Sequence, residues 1–468
     1  MSPAQTTHYD AIVIGSGQGG TPLCRALAKA GLRTALVEKA HVGGTCVNEG
    51  CTPTKTMIAS GRVAYLARRG ADYGVHTGPL TIDLARVRQR KRDIVDSFRN
   101  GNQERIEKTE KLALLFGEAS FLDARSIVVR LQDGSQQKLT AEKFFINAGC
   151  RPAKPAIEGL QDVPYLDSTS IMELDAVPEH LLVIGGGYIG VEFGQLFLRL
   201  GARVSIVQQA GQLLGKEDAD IATEMQKILK EDGLEIFLNT KVQRVAKNGS
   251  EITMTVNGAG TQARTLRGSH LLAAAGRIPN TDVLNPGAAG IAVDGRGYIQ
   301  VNERLETSVP GIYALGDIKG GPAFTHISYD DFRILRTNVI EKGNATITGR
   351  MVPYTVFTDP QLGRVGLSET QARVEGRKIR VAKMAMSRVA RAQETDETRG
   401  FMKAVVEAES KQILGAAILG VDGGEVMSML EIAMMGKLPY TALQNGTFAH
   451  PNLSEALNNL FLDSNFVL

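Results

Sequence analysis

Apolar and polar positions along the chain fall into two copies of one short theme. Residues 9–14 form a compact apolar run, the mark of a strand buried on both faces. The turn Gly15-Ser16-Gly17-Gln18-Gly19-Gly20 follows, then helical periodicity over 22–30, then a second apolar run over 34–37 that ends at Glu38. The theme recurs with a strand over 180–184, the turn Gly185-Gly186-Gly187-Tyr188-Ile189-Gly190, a helix over 191–200 and a strand over 203–207. Glu38 stands 23 positions after Gly15, and the same count from Gly185 reaches Gln208. Strand, glycine-rich turn, helix and strand in this order make a dinucleotide-binding unit. The glycines permit a tight turn and close backbone approach, the helix N-terminus favours phosphate, and the acid accepts from ribose hydroxyls. Two such units argue for two dinucleotides. Gly15, Gly17, Gly20 and Glu38 are the binding candidates of the first, and Gly185, Gly187, Tyr188, Ile189, Gly190 and Gln208 those of the second.

Between the two units, residues 82–111 carry a helical pattern rich in charge (Arg86, Arg88, Arg90, Lys91, Arg92), which predicts a solvated helical face. Residues 112–131 and 251–266 read as short β segments. From residue 351 onward the pattern is one of strands and amphipathic helices with no nucleotide motif. It closes on Phe448-Ala449-His450-Pro451-Asn452-Leu453-Ser454-Glu455.

Composition changes this picture mainly by exclusion. The 468 residues are 43% hydrophobic and 22% charged, an ordinary globular balance. A formal net charge of +3 gives no electrostatic support to nucleic-acid or membrane-surface binding. The first eight residues have neither a basic stretch nor an apolar one, and no apolar run approaches the ~20 residues that cross a bilayer. A cytoplasmic location is expected.

Candidate chemistry sits just after the first unit, in Gly43-Gly44-Thr45-Cys46-Val47-Asn48-Glu49-Gly50-Cys51-Thr52-Pro53-Thr54-Lys55, which holds two of only four cysteines. A disulfide needs Cα atoms roughly 4.4–6.8 Å apart. Five residues of regular helix already rise about 7.5 Å. Bridging Cys46 to Cys51 therefore demands a distorted turn, and Pro53 removes a helix donor nearby. A bridge closed under such geometry tends to be labile and redox-active. Two unpaired buried thiols are the alternative; a zinc site lacks a second Cys/His pair at ligand spacing. Cys24 and Cys150 stand apart and read as small packing residues.

The cysteine segment resembles the redox-active disulfide of the FAD-dependent pyridine nucleotide-disulfide oxidoreductases, the group of dihydrolipoamide dehydrogenase, glutathione reductase and mercuric reductase. The likeness runs from about residue 9 to residue 461. It implies an α/β fold: two Rossmann-type domains, one for FAD and one for NAD(P)H, plus a C-terminal α+β dimerisation domain. By the same likeness, 1–150 and 275–350 form the FAD-binding domain, 151–274 the NAD(P)H-binding domain and 351–468 the interface domain. Cys51 would lie over the flavin and Cys46 would be the thiol that attacks substrate. His450, oriented by Glu455, would serve as base in the partner subunit's site, so a homodimer is expected. Lys55 would pair with Glu192 near the flavin. Asp317, in a stretch (307–317) that matches the second FAD motif, would bond the ribityl chain. Thr325 would open a helix whose N-terminus favours negative charge on the reduced ring. Gly44, Thr45, Ala119, Gly149, Gly276 and Arg277 complete the flavin-side candidates, and Val242 joins the nicotinamide-side ones. Asn147 and Ala148 depart from the family's Ala-Thr-Gly crossover while keeping its final glycine. Tyr188 falls where the family often has a ring covering the flavin until nicotinamide displaces it, with core packing as the alternative.

NAD-specific relatives carry an acid where Gln208 stands, and NADPH-specific ones an arginine about where Gln209 stands. Neither is present, and with Arg203 or Lys216 as cations in reach the expectation leans to NADPH. No resident metal is expected. Mercuric reductase uses a vicinal cysteine pair near its C-terminus, whereas this chain has no cysteine after Cys150. Residues 320–333 and 454–461 resemble more closely the mercuric-reductase-like branch that includes bacterial reactive-chlorine-resistance flavoproteins. That points to a small-molecule acceptor: a disulfide, a reactive oxidant such as hypothiocyanous acid, or a metal ion. Dihydrolipoamide dehydrogenase, alone or docked in a larger complex, and mercuric reductase stay open as alternatives. So does a flavin transhydrogenase or oxidase that does not need the thiols.

Overall fold

In the computed structural model, which describes residues 6–258 and 262–467, the first apolar run is the strand Thr6–Ile14. Thr34–Glu38 pairs with it in parallel on one side and Gln136–Ile146 on the other. Leu112–Asp123 extends the parallel sheet past Thr34–Glu38, and Ile312–Ala314 extends it past Gln136–Ile146. The strand order thus reverses about Thr6–Ile14, and ligands of such sheets bind at the carboxyl ends beside the reversal. Leu112–Asp123 and Gln136–Ile146 also pair antiparallel with Ser126–Leu131, so the ladder closes on itself. Ile12, Leu23, Leu27, Leu36, Phe121, Phe144 and Phe145 are wholly buried around this sheet. Each such side chain contributes about 1.5–3 kcal/mol of apolar transfer.

These elements belong to one of two units, made of Met1–Thr56, Arg86–Ala153 and Gly276–Arg350. Its first helix is Gly20–Lys29, and the charged segment forms the helix Leu84–Glu107. One expectation for that segment is corrected. Lys91 is not on the solvated face: it is buried, on the same helical stripe as Leu84 and Val95, seven residues after one and four before the other.

The other unit holds Met57–Ala85, Lys154–Ala275 and Met351–Leu468. The second copy of the theme is a parallel sheet ordered His270–Ala273, His180–Ile184, Arg203–Val207, Glu235–Phe237. Its helix begins at Tyr188, three residues earlier than the periodicity predicts, and runs to Leu200. A three-stranded antiparallel sheet (Thr240–Asn248, Glu251–Gly258, Arg264–Gly268) follows. The last part of the chain builds a six-stranded antiparallel sheet from Tyr354–Val356, Gln361–Gly366, Ile413–Gly420, Phe401–Glu407, Ile379–Ala385 and Phe466–Val467. The helix Gly423–Met435 packs on Gln361–Gly366 and Ile413–Gly420. No described helix is long and apolar enough to cross a membrane.

Candidate functional site

In the first unit the carboxyl ends of the parallel strands gather most flavin-side candidates. Gly15 leaves its strand with φ +97°, a left-handed conformation that L side chains rarely adopt. Glu38 ends the neighbouring strand and is 8% exposed. One carboxylate oxygen accepts from the Ser16 amide (3.0 Å) and hydroxyl (2.6 Å), the other from the Ala40 amide (2.9 Å). The Ser16 hydroxyl also accepts from the Gly43 amide (3.1 Å), which ties the glycine turn to the loop before Cys46. A Cβ on Gly44 would come within 2.7 Å of Gly17 Cα, so Gly15, Gly17, Glu38, Gly44 and Thr45 share one rim.

Asn147 stands at the end of Gln136–Ile146 and is buried. Its amide oxygen accepts from the Gly20 amide (2.9 Å), and its amide nitrogen donates to the Leu315 carbonyl (2.9 Å) and the Ser328 hydroxyl (3.4 Å). Asn147 therefore joins the first glycine turn to the segment before Asp317 and to the helix Thr325–Leu335. Gly149 and Gly276 flank the antiparallel pair Cys150–Pro152 with Arg277–Pro279, and the Arg277 guanidinium donates to the Cys150 carbonyl.

Asp317 lies just past Ile312–Ala314. Its carboxylate accepts no hydrogen bond from the described residues, and burial pushes its carboxyl above the usual range while Arg277 and Lys319 pull it down. Its turn is fixed by a residue that sequence reasoning missed. Asp331, wholly buried, accepts from the Gly316 amide (2.8 Å), with Lys319 at 3.3 Å and Arg350 at 2.6 Å. Two adjacent acids in 325–333 offered no way to tell which turns inward before helix phase was known.

Cys46 belongs to the short helix Gly44–Asn48, the chain breaks at Glu49 (φ −139°), and helix resumes as Cys51–Arg68. This is the distorted turn the spacing demands. Pro53 falls in the first turn, where a missing N–H costs nothing. All four cysteines are free thiols. Cys46 and Cys51 hydrogen-bond to each other; this bond and then burial push the Cys46 thiol far up, with Thr325 pulling down. The Thr325 hydroxyl, at the head of Thr325–Leu335, is 3.3 Å from Cys51 Sγ. Burial pushes Cys24 and Cys150 each up to about 12, as suits packing residues. Lys55 lies in the same helix as Cys51 and is half-buried.

These residues fit a flavin dinucleotide. Gly19 gives the helix Gly20–Lys29 no side-chain cap, and the Gly20 amide is held instead by Asn147, so it is the glycine turn ahead of the helix that lets backbone approach a pyrophosphate. Glu38 retains lone pairs beyond the bonds it accepts, and the Asp317 carboxylate has room for hydroxyl donors.

In the second unit Gly185 repeats the left-handed conformation of Gly15 (φ +107°). The helix Tyr188–Leu200 also lacks a side-chain cap, and a Cβ on Gly187 would meet nothing within 4 Å. Gln208 Oε1 accepts from the Gly186 amide (3.0 Å), and its Nε2 donates to the Gln212 carbonyl (3.3 Å). Ile189 and Gly190 open the helix, and Glu192, 6% exposed, accepts from the Phe357 amide (2.8 Å). The Tyr188 ring stands 5.7 Å from that of Tyr354. The reach expected of Arg203 fails: it opens its strand beside Glu179, five residues and about 16 Å of strand rise from Gln208. His450 Nδ1 is 2.8 Å from Glu455, and the ring is 65% exposed. Ala119 and Val242 sit in buried apolar clusters.

The description "Pyridine nucleotide-disulphide oxidoreductase" belongs to a family model that matches residues 9–331, and the dimerisation domain of the same family matches residues 352–461. The chain is 38% identical over 97% of its length to the probable pyridine nucleotide-disulfide oxidoreductase RclA of Escherichia coli K12, covering 98% of that protein. It is 34% identical to a mercuric reductase of Staphylococcus aureus, over 96% of this chain and 81% of the relative. A dihydrolipoyl dehydrogenase of Geobacillus stearothermophilus is 32% identical, over 95% and 94%. Among solved structures, the HOCl-induced flavoprotein disulfide reductase RclA of Escherichia coli superposes with TM-score 0.88 at 38% identity, over 97% of this chain and 99% of that one. A Cu(II) complex of RclA gives TM-score 0.89 at 37% identity, with the same coverage.

Proposed function

The chain belongs to the pyridine nucleotide-disulphide oxidoreductase family of FAD-dependent enzymes, and from that membership we propose that it passes electrons from NAD(P)H through Cys46 and Cys51 to a small oxidised acceptor. The observation that carries the proposal is the thiol pair itself, two free thiols brought into hydrogen-bond contact across a broken helix beside Thr325. In balance, one NAD(P)H and one proton reduce a disulfide-level acceptor by two electrons. Bound by these residues, FAD would supply the two-electron carrier between nicotinamide and sulfur.

The chain's own residues do the rest. Residues 1–150 and 275–350 would hold the flavin dinucleotide, with Glu38 to accept from a ribose, the first glycine turn to face phosphate and Asp317 to accept from ribityl hydroxyls. Residues 151–274 bind the nicotinamide dinucleotide on the second glycine turn. Cys51, next to Thr325, is the flavin-side thiol and Cys46 the exchange thiol. The mutual hydrogen bond raises Cys46, so its attack on an acceptor needs a base. In a homodimer, residues 351–468 would carry His450 to the partner's thiols, its Nδ1 held by Glu455 and its Nε2 left to move a proton. By the family likeness Lys55, in the helix of Cys51, would supply a cation near the flavin's reactive nitrogen and Glu192 would supply an acid. The neutral Gln208 does not repel a 2′-phosphate, which supports a modest NADPH preference with Lys216 as the remaining cation. A cytoplasmic site of action suits a thiol pair kept in redox exchange.

Anaerobic titration with NADPH tests the relay. The protein should take up more electrons than its flavin alone can store, and the excess should vanish in Cys46→Ser. An uptake limited to the flavin overturns the proposal, as would full natural turnover by Cys46→Ser, which would point to a thiol-independent transhydrogenase or oxidase. Screening lipoamide, glutathione disulfide, hypothiocyanous acid, Hg(II) and Cu(II) as acceptors then separates the branches. Cu(II) belongs in the screen because RclA has been solved as its complex.

A further inference from the structure

Residues 208–218 form the loop between the strand Arg203–Val207 and the helix Ala219–Glu231, with Gln208 at its start and the exposed Lys216 near its end. The loop lies along the second glycine turn. Gln208 Oε1 accepts from the Gly186 amide, and the Gly186 carbonyl accepts from the Leu214 amide (2.9 Å). Within the loop, Gln208 Nε2 donates to the Gln212 carbonyl and Gln212 Nε2 to the Glu217 carbonyl (3.1 Å). The Glu217 amide donates to the Leu214 carbonyl (2.8 Å). Gln208 is thus wired through Gln212 to the far end of the loop. Connecting segments run over protein surfaces, yet this one ends on two adjacent acids, Glu217 and Asp218, that are both buried.

Both acids are held by residues 351–468, which belong to the same unit. One Glu217 carboxylate oxygen accepts from the Tyr354 hydroxyl, and the other faces Arg364 Nε at 3.6 Å. Asp218 precedes the helix Ala219–Glu231, the position from which a carboxylate ordinarily accepts from its own helix's amides. Among the described residues it makes no such bond. It accepts instead from the Glu369 amide (3.0 Å), the Thr370 amide (3.0 Å) and the Thr370 hydroxyl (2.7 Å). Those two amides open the helix Glu369–Val374, whose next amide, that of Gln371, goes to Ser368 in a capping box. Lys403, buried in the strand Phe401–Glu407, places Nζ 3.2 Å from Asp218, 3.0 Å from Asp220 and 2.8 Å from Glu369. Burial works against the Asp218 charge, yet the Thr370 bonds and Lys403 hold its carboxyl well below the usual carboxylate range. Bonds of this charge-assisted kind are the strong ones.

We propose that residues 351–468 fix the shape of the loop 208–218 through Glu217 and Asp218, and so set how well the second glycine turn takes the adenosine end of NAD(P)H. The inference rests on the reading of that turn as the nicotinamide-dinucleotide site. Asp218, Thr370 and Lys403 are positioning residues: they act through the loop that carries Gln208 and Lys216. A ligand that needs the anchored loop binds more weakly by the fraction of protein that keeps the anchor. Losing the anchor must therefore weaken every ligand that carries the adenosine end and leave the steps after binding unchanged.

The test uses flavin-loaded protein and calorimetric binding of 2′-phospho-ADP-ribose and ADP-ribose, which carry the adenosine end and lack nicotinamide. Thr370→Val removes one hydroxyl bond and keeps the shape, and Asp218→Asn puts a donor where an acceptor oxygen stood. The tighter of the two ligands should weaken about threefold in Thr370→Val and about tenfold in Asp218→Asn, with a matching rise in the KM for NADPH. Flavin content, the acceptor KM and kcat at saturating NADPH should not move. Thr370→Val alone decides the matter if Asp218→Asn is not recovered folded. A lower melting temperature with unchanged affinity for both ligands overturns the anchor alone, since the bonds would then serve packing only. So does a loss of kcat and flavin that equals the loss of affinity. If the unsubstituted protein binds neither ligand, the dinucleotide reading of the second turn fails and the anchor with it.

Discussion

The two glycine turns share a motif and differ in what surrounds it. In the first, the acid at the strand end is a buried carboxylate that accepts three hydrogen bonds from its own chain. Gly17 there faces the Asn147 side chain, and Asn147 ties the turn to two later segments. In the second, the strand-end residue is a neutral Gln208 with one bond to the turn. Gly187 faces open space, and no side chain equivalent to Asn147 reaches the Gly190 amide among the hydrogen bonds of the described residues. The lesson is that identical glycine spacing does not distinguish a resident dinucleotide from an exchanging one. The neighbours do: a turn cross-braced by the rest of its unit suits a ligand that stays, and an open turn one that leaves each cycle.

The most damaging break in that contrast is Gly20→Ala. Its Cβ would collide with the Gly15 carbonyl and stand 3.1 Å from Asn147 Oδ1, with backbone on one side and a braced amide on the other. We expect protein recovered with most of its flavin lost, read from the ratio of visible to ultraviolet absorbance. Full flavin content would show that the first turn is not braced. Next comes Asn147→Ala, which strands the buried Gly20 amide and Leu315 carbonyl. Each stranded group costs about 1–3 kcal/mol. A melting temperature within a degree of wild type would contradict the bracing role. Smaller again is Gly187→Ala, which meets no protein atom and should leave flavin content and stability unchanged. If a pyrophosphate approaches that Cα, the KM for NADPH should still rise about tenfold, which is about 1.4 kcal/mol.

The same contrast explains how much could be read without coordinates. The strands 180–184 and 203–207 were legible to the residue, because a largely buried parallel strand writes itself as a short, mainly apolar run. The broken helix between Cys46 and Cys51 was legible because spacing and chain geometry conflict there. Asn147 was visible as a departure from a triplet, yet its partners lie 127, 168 and 181 positions away, so only folding reveals what the amide joins. Lys91 went the other way: a charge run suggested solvent, and helix phase turned one of its members inward. Asp331 and Glu217 were unreadable, since a buried acid looks like any surface acid until its cations are placed beside it.

The mildest change sharpens the contrast most directly. Gln208→Glu would give the second turn the acid that the first has at the same count, with Gly186 already offering its amide as Ser16 does to Glu38. A carboxylate there accepts from an adenosine 2′-hydroxyl and repels a 2′-phosphate. The ratio of kcat/KM for NADH over NADPH should therefore rise about tenfold, with flavin content and melting temperature unchanged. The effect should come mainly from loss of NADPH, because Gln208 already serves the turn amide and the substitution adds repulsion more than attraction. If the ratio stayed put, the adenosine end would be read elsewhere, Lys216 being the first alternative. If instead the flavin were lost, the two turns would differ less in their occupants than their surroundings imply.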